Sequence, residues 1–207
     1  MIIGALQRFS LLDYPGRIAA IVFTQGCDFR CPFCFNRELV LEEYFRPAVP
    51  EAELFEFLRC REGLLEAVVV TGGEPTVHTD LPVFLGRIKA LGYLVKLDTN
   101  GSHPEMLREI IDGGAVDYIA MDVKAPWHKY EQLCGVAVDV EKVKESVELI
   151  ARSGLKHEFR TTVVKTLLSE ADLAAIDQAL KDKGLWHLQP FIPADTVLDP
   201  GLRGHRT

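Results

Sequence analysis

Short apolar runs rich in β-branched residues punctuate the chain at 18–24 (IAAIVFT), 66–71 (EAVVVT), 93–99 (YLVKLDT), 116–123 (VDYIAMDV), 156–164 (KHEFRTTVV) and 186–192 (WHLQPFI). Each is too short for a helix and suits a pleated surface, so six strands are predicted. Between them the pattern changes to a helical period. PEAELFEFLRCR sets Pro50 at the first helical position, and TDLPVFLGRIKALG fills the next gap. SHPEMLREIID offers Ser102 and Glu105 as a capping box and ends at Gly113; VEKVKESVELIARSG stops at Gly154; SEADLAAIDQALKDKG runs from Ser169 to Gly184. Strand and helix alternate throughout, and runs such as AVVV are apolar on both faces, which predicts an α/β fold with a parallel sheet covered by helices. Six such units are too few for a closed eight-stranded barrel, so a partial (β/α)6 TIM-like barrel is expected, with a doubly wound sheet as the alternative. Residues 1–192 read as one domain and 193–207 as a loosely held tail.

Composition narrows the function. Hydrophobic residues make up 48% of the chain and charged residues 26%, and no apolar run approaches a bilayer-spanning length. The net charge is −7 with no cluster of Lys and Arg, which argues against nucleic acid as a partner. The opening MIIGALQRFS has no basic segment followed by a long apolar stretch, so no secretory signal is read and a cytoplasmic location is expected. In a reducing compartment, clustered cysteines point to metal or redox chemistry before disulfides.

The chemistry-bearing residues fall at strand ends. The first strand runs into QGCDFRCPFC, the second into GGEP, the third into DTNG and the fourth into DVKAP, while Arg160 lies within the fifth. Cys27, Cys31 and Cys34 form C-x3-C-x2-C, one thiolate short of a four-ligand shell. An iron–sulfur cluster with one open iron, a structural zinc that recruits a fourth ligand, and unliganded thiols are the three readings. Gly72 and Gly73 suit a tight turn, or a backbone that approaches a ligand closely while Glu74 grips an ammonium group. Asp98 and Asn100 suit a turn, or hydrogen bonds to sugar hydroxyls. Cys60 and Cys134 are read as ordinary buried thiols, and the six histidines as caps, surface groups or packed rings.

Taken together these residues resemble the radical S-adenosylmethionine superfamily: the spacing of Cys27, Cys31 and Cys34, the aromatic Phe33 before the last cysteine, and Gly72, Gly73 and Glu74 after the second strand. LQRFSLLDYPGRIAAIVFTQGCDFRCPFCFN, LDTNG and DYIAMDVKAPWHKYEQLCGV resemble the glycyl radical enzyme activating type, and within it the activators of anaerobic ribonucleoside-triphosphate reductase. The resemblance covers most of residues 1–192 and implies a partial (β/α)6 barrel.

It further implies that Cys27, Cys31 and Cys34 ligate a 4Fe-4S cluster whose fourth iron binds the amino and carboxylate groups of S-adenosylmethionine. Phe33 would lie near adenine, Gly73 and Glu74 at the amino group, Lys124 and Arg160 around the carboxylate and ribose, and Asp98 at the ribose. In the pyruvate formate-lyase activator a monovalent cation lies beside the cofactor, and the matching positions here are Asp98, Thr99 and Asp122. Asp13, in LLDYPG, matches a substrate-side aspartate and equally suits a turn before Pro15. The implied activity is reductive cleavage of S-adenosylmethionine to a 5′-deoxyadenosyl radical that takes hydrogen from a glycine of a partner enzyme, with flavodoxin or ferredoxin as the low-potential donor. Trp127 and Tyr130 either pack on the adjacent helix or anchor that partner. The chain departs from the family pattern at Phe35 and Ile192, where activators carry His, and it ends sooner than the resemblance leads one to expect. Two rivals remain: the same radical chemistry on a small molecule, as in deazapurine-precursor synthesis, and a zinc-stabilised interaction module.

Overall fold

Six parallel strands and one antiparallel strand form a single sheet in simple sequential order, β1 to β7, in a computed structural model that describes residues 1–203. β1 (Ile3–Ser10) runs antiparallel to β2 (Ala19–Thr24). The parallel set continues with β3 (Ala67–Gly72), β4 (Leu94–Thr99), β5 (Tyr118–Asp122), β6 (Lys156–Val163) and β7 (Leu185–Pro190). The helices are α1 (Arg37–Val40), α2 (Glu51–Arg59), α3 (Leu81–Ala90), α4 (Pro104–Asp112), α5 (Tyr130–Cys134), α6 (Val140–Arg152) and α7 (Glu170–Leu180). β1 and β7 are the two sheet edges, so the structure is an open, partial barrel of six parallel strands, as expected.

Strand alternation sorts the side chains into two faces. Val68, Val70, Val95, Leu97, Ile119, Met121 and Phe159 point toward the helices and join the main core, where Leu54, Leu58, Phe84, Leu85, Leu107, Ile110, Val143 and Val147 meet them. The opposite, concave face starts apolar, with Tyr14, Ala19, Ile21, Ala67, Val69, Tyr118 and Ala120 packed together. Toward the strand C-termini that face turns polar through Asp98, Asp122 and Arg160, so the core fixes a charged wall at one end of the barrel.

Several local expectations are corrected. β1 has no counterpart in the sequence reading: its IGALQRFS carries no clean alternation, and pairing with β2 defines it as a strand. Ser102 and Glu105 form no capping box, because Pro104 opens α4 and His103 is its N-cap. The Ser102 N–H instead donates to Asn100 Oδ1 at 2.8 Å, a local turn that Asn favours. Pro50 is the N-cap of α2 and not its first residue. Ser169 does cap α7, in a reciprocal box with Asp172. Cys60 is exposed, whereas Cys134 is buried as expected.

The segment after β7 is held down. Val197 is buried, Leu198 N donates to Cys34 O and Asp199 N to Pro32 O, both at 2.9 Å. The expectation of a loose tail therefore fails for 193–203: backbone donors there find their acceptors in the cysteine loop. Residues 204–207, including His205, lie outside the described residues.

Candidate radical-cofactor site

The loop leaving β2 carries the three cysteines, and main-chain bonds set its shape. Arg30 N donates to Cys134 O at 2.7 Å, Cys34 N to Cys31 O at 3.0 Å, and Gly26 N to Leu39 O at 2.8 Å. Phe29 and Phe33 are buried in the main core and peg the loop from below. Cys27, Cys31 and Cys34 all line one cavity of about 250 Å³. Burial pushes the Cys27 and Cys34 thiols up, and the negative charge of Glu74 adds to this at Cys27. At Cys31 a hydrogen bond from the neighbouring Cys134 thiol outweighs burial and lowers it.

Three free thiols on one loop, opening on a common space, fit a cluster bound through three thiolates.

Backbone contact explains the glycines of β3. Gly72 has φ +120°, and a Cβ there would lie 2.4 Å from Thr24 N. At Gly73 a Cβ would sit 2.0 Å from Gly26 O, because Glu74 N donates to that oxygen at 2.8 Å. Both glycines thus let the end of β3 press against the chain entering the cysteine loop. Glu74 is 1% exposed, and its carboxylate accepts from Thr76 N, Thr76 Oγ1, Thr99 Oγ1 and Asn100 N. Three of those donors converge on Oε1 and one, Asn100 N, on Oε2, and together they bind the ends of β3 and β4. Burial still pushes its carboxyl up. Asn100 Nδ2 donates to Asp28 Oδ1 at 2.9 Å, and His103 Nε2 lies 3.4 Å from Asp28 Oδ2, so the β4 end also grips the cysteine loop.

A ladder of alternating charges forms the opposite wall. Lys96 Nζ donates to Asp98 Oδ1 at 2.7 Å; Arg160 bridges Asp98 Oδ2 at 3.2 Å and Asp122 Oδ1 at 2.8 Å; Lys124 Nζ reaches Asp122 Oδ2 at 2.9 Å. Burial alone would raise the Asp122 carboxyl, but the charges of Arg160 and Lys124 win and hold it well below the usual carboxylate range. The same attraction raises Lys124 and Arg160 against burial.

Asp122→Asn leaves Lys124 without its partner and is expected to cost about 3 kcal/mol, the low end for a broken buried pair because the site is partly open. A carboxyl whose folded value lies below its ordinary 3.8 contributes fully above pH 3.8, and that contribution is lost as pH falls through the folded value. The difference in urea midpoint between wild type and variant should therefore be wide at pH 7 and narrow on acidification. A gap that does not change with pH contradicts this.

Of the sequence-predicted residues, the three cysteines, Phe33, Gly72, Gly73, Glu74, Asp98, Thr99, Asn100, Asp122 and Lys124 line the one cavity. Arg160 reaches it through Asp98 and Asp122. Asp13 is not brought there. It follows β1, whose Ser10 pairs with Ala19 at the start of β2, so it lies at the opposite end of the strands, where the Ser10 hydroxyl donates to its carboxylate. Of the implied monovalent-cation set, Asp98, Thr99 and Asp122 all line the cavity, and Arg160 joins the two aspartates. Every carboxylate oxygen of Asp98 and Asp122 already has a cationic donor, and Thr99 Oγ1 is turned to Glu74 at 2.7 Å.

Phe29, Phe35, Asn36, Val40, Thr71, Thr162 and Gln189 complete the lining and were not put forward as site residues by the sequence. For Thr162 the available signal is the period-two alternation from Arg160, and for Gln189 its pairing opposite Thr162 on β7. Phe35 contacts Phe191 with ring centroids 5.4 Å apart, which joins the loop to the end of β7 where Ile192 is exposed. Tyr130 is fully buried against Trp127, so the packing reading holds for it and partner anchoring does not.

Comparison with known proteins agrees with this geometry. The family model described as "Radical SAM superfamily" matches residues 21–179. A Methanocaldococcus jannaschii protein named "Putative glycyl-radical enzyme activating enzyme" is 33% identical over 202 residues, covering 94% of this chain and 81% of its own. A 7-carboxy-7-deazaguanine synthase from Thermococcus kodakarensis is 28% identical over 161 residues, covering 68% of this chain and 62% of its own. Among solved structures, Streptococcus suis SuiB bound to S-adenosylmethionine superposes with a TM-score of 0.69 at 17% identity, over 86% of this chain. The chain spans 41% of that structure's length. The sheet order, the cysteine loop and the family match converge: this chain belongs to the radical SAM superfamily.

Proposed function

We propose that the protein binds a 4Fe-4S cluster through Cys27, Cys31 and Cys34, and S-adenosylmethionine in the adjoining cavity, to generate a glycyl radical on a partner enzyme. The observation that carries the cofactor reading is that the three thiols and the polar ends of β3, β4 and β5 open on one space. Held there, the cluster and S-adenosylmethionine would supply a one-electron cleavage of the sulfonium carbon–sulfur bond, giving methionine and a 5′-deoxyadenosyl radical. The chain supplies placement and exclusion of water.

Phe33 and Phe29 give the space an apolar floor. Gly73 and Glu74 lie on the amino-group side of the cofactor, with the Glu74 carboxylate contributing negative potential. Lys124 and Arg160 hold the carboxylate and ribose side, with Asp98 and Asn100 toward the hydroxyls. Relatedness to the M. jannaschii protein across 94% of the chain supports a glycyl radical enzyme as partner, with anaerobic ribonucleoside-triphosphate reductase as the specific candidate and flavodoxin or ferredoxin as donor.

The test mixes the reduced protein, S-adenosylmethionine and that reductase, and records the EPR spectrum. An organic radical on the reductase is expected. Cofactor cleavage without a partner radical would instead favour small-molecule chemistry, the reading supported by likeness to the T. kodakarensis synthase.

A further inference from the structure

We propose that Gln189 and Phe35 form the base-recognising end of the cavity: the Phe35 ring takes one face of adenine, and the Gln189 carboxamide reads the edge that carries its amino group. The inference rests on reading the cavity as the cofactor site.

The groups at the ends of β3, β4 and β5, namely Gly73, Glu74, Asp98 and Lys124, are charged or bare backbone and suit an amino acid and a ribose. The base is then left to the β6–β7 side. There Thr162 and Gln189 pair across the two strands, two residues beyond Arg160 and His187, and both line the cavity. Three carboxamides line it in all. Asn100 donates to Asp28 and accepts from Ser102 N, and Asn36 Nδ2 donates to Gly72 O at 3.3 Å. Gln189 is exposed, and among the described residues its amide has no hydrogen-bond partner. An amide sets an acceptor beside a donor, which complements the adenine amino group and the ring nitrogen next to it. Phe35 lines the same cavity, is 39% exposed, and packs on Phe191, two residues after Gln189, so ring and amide border the same end. Phe33, set near adenine by the resemblance, is 4% exposed and its ring is taken up by the core, which leaves Phe35 as the ring with a free face.

The test measures dissociation constants, on the anaerobically reconstituted protein, for S-adenosylmethionine and for its analogue with purine as the base, in which hydrogen replaces the 6-amino group. Wild type should bind the purine analogue about fivefold to tenfold more weakly, the worth of one hydrogen bond in a partly open site. Gln189→Leu should bind both ligands alike, at close to the weaker affinity, and because Gln189 is exposed the variant should fold as wild type does. Phe35→Leu should weaken both ligands about tenfold and leave their ratio unchanged, since stacking does not depend on the amino group. Equal binding of the two ligands by wild type overturns the proposal, as does a Gln189→Leu variant that still tells them apart. A Phe35→Leu variant with wild-type affinity removes the stacking role. If Phe35→Leu does not fold, the wild-type and Gln189→Leu measurements still decide the reading of the base. Failure of wild type to bind S-adenosylmethionine at all would instead count against the cofactor reading itself.

Discussion

Cys31→Ala is expected to reduce iron bound after anaerobic reconstitution to background and to abolish cleavage of S-adenosylmethionine. The loop offers three sulfurs to the cavity, and the fourth thiol nearby, Cys134, is not among the groups that line it. Removal of one sulfur leaves two, too few to retain a cluster that already has an open position. Cys31 is the most buried of the three, yet a Cys to Ala change removes a single heavy atom, and the loop keeps its bonds from Arg30 to Cys134 and from Leu198 to Cys34. The circular dichroism spectrum and the apoprotein unfolding midpoint should therefore stay near wild type. Retention of either iron or cofactor cleavage in the variant contradicts the cluster assignment.

Gly73→Ala should be nearly as damaging by a different route. The added methyl would meet Gly26 O at 2.0 Å, Gly26 C at 2.7 Å and Leu39 O at 3.2 Å, all of them backbone atoms. No rotamer relieves such a contact, so the ends of β2 and β3 must separate. That movement breaks the bonds from Glu74 N to Gly26 O and from Gly26 N to Leu39 O, each 2.8 Å long. A cost of about 3 kcal/mol, the upper range for overpacking, is expected in urea unfolding, together with poor iron incorporation because the cysteine loop begins at this contact. Gly86→Ala is the matched control. It lies inside α3 with nothing within 4 Å of a Cβ, and alanine there should stabilise by about 0.5–1 kcal/mol. Equal effects at the two positions would show that the close approach at Gly73 has no consequence.

β2 to β5 were legible because each is buried on one or both faces and reads as a largely apolar run between turn residues, whereas β6 and β7, half-buried and exposed, were legible from β-branched and aromatic residues alone. The cysteine loop, Gly72 to Glu74, and Asp98 to Asn100 were legible because unusual residues at strand ends share one rim in any parallel sheet. Features that depend on a distant partner were not. β1 has strand character only beside β2, and Leu198 and Asp199 are fixed only by carbonyls of the cysteine loop. Asp28 and His103 show their pairing only when the β2 and β4 ends meet. Asp13 misled because likeness to a motif carries no information about which end of the sheet the residue occupies. Lys96 left a trace in the sequence, one charge in an otherwise apolar YLVKLDT, but its partner, Asp98, had already been given another role.

The most direct test of the central claim is the EPR spectrum of the anaerobically reconstituted, reduced protein with and without S-adenosylmethionine. A cluster held by three cysteines beside the cavity predicts an iron–sulfur signal whose shape changes when the cofactor is added. A reconstituted protein that holds zinc and no iron, or a cluster signal that S-adenosylmethionine leaves unchanged, would contradict it.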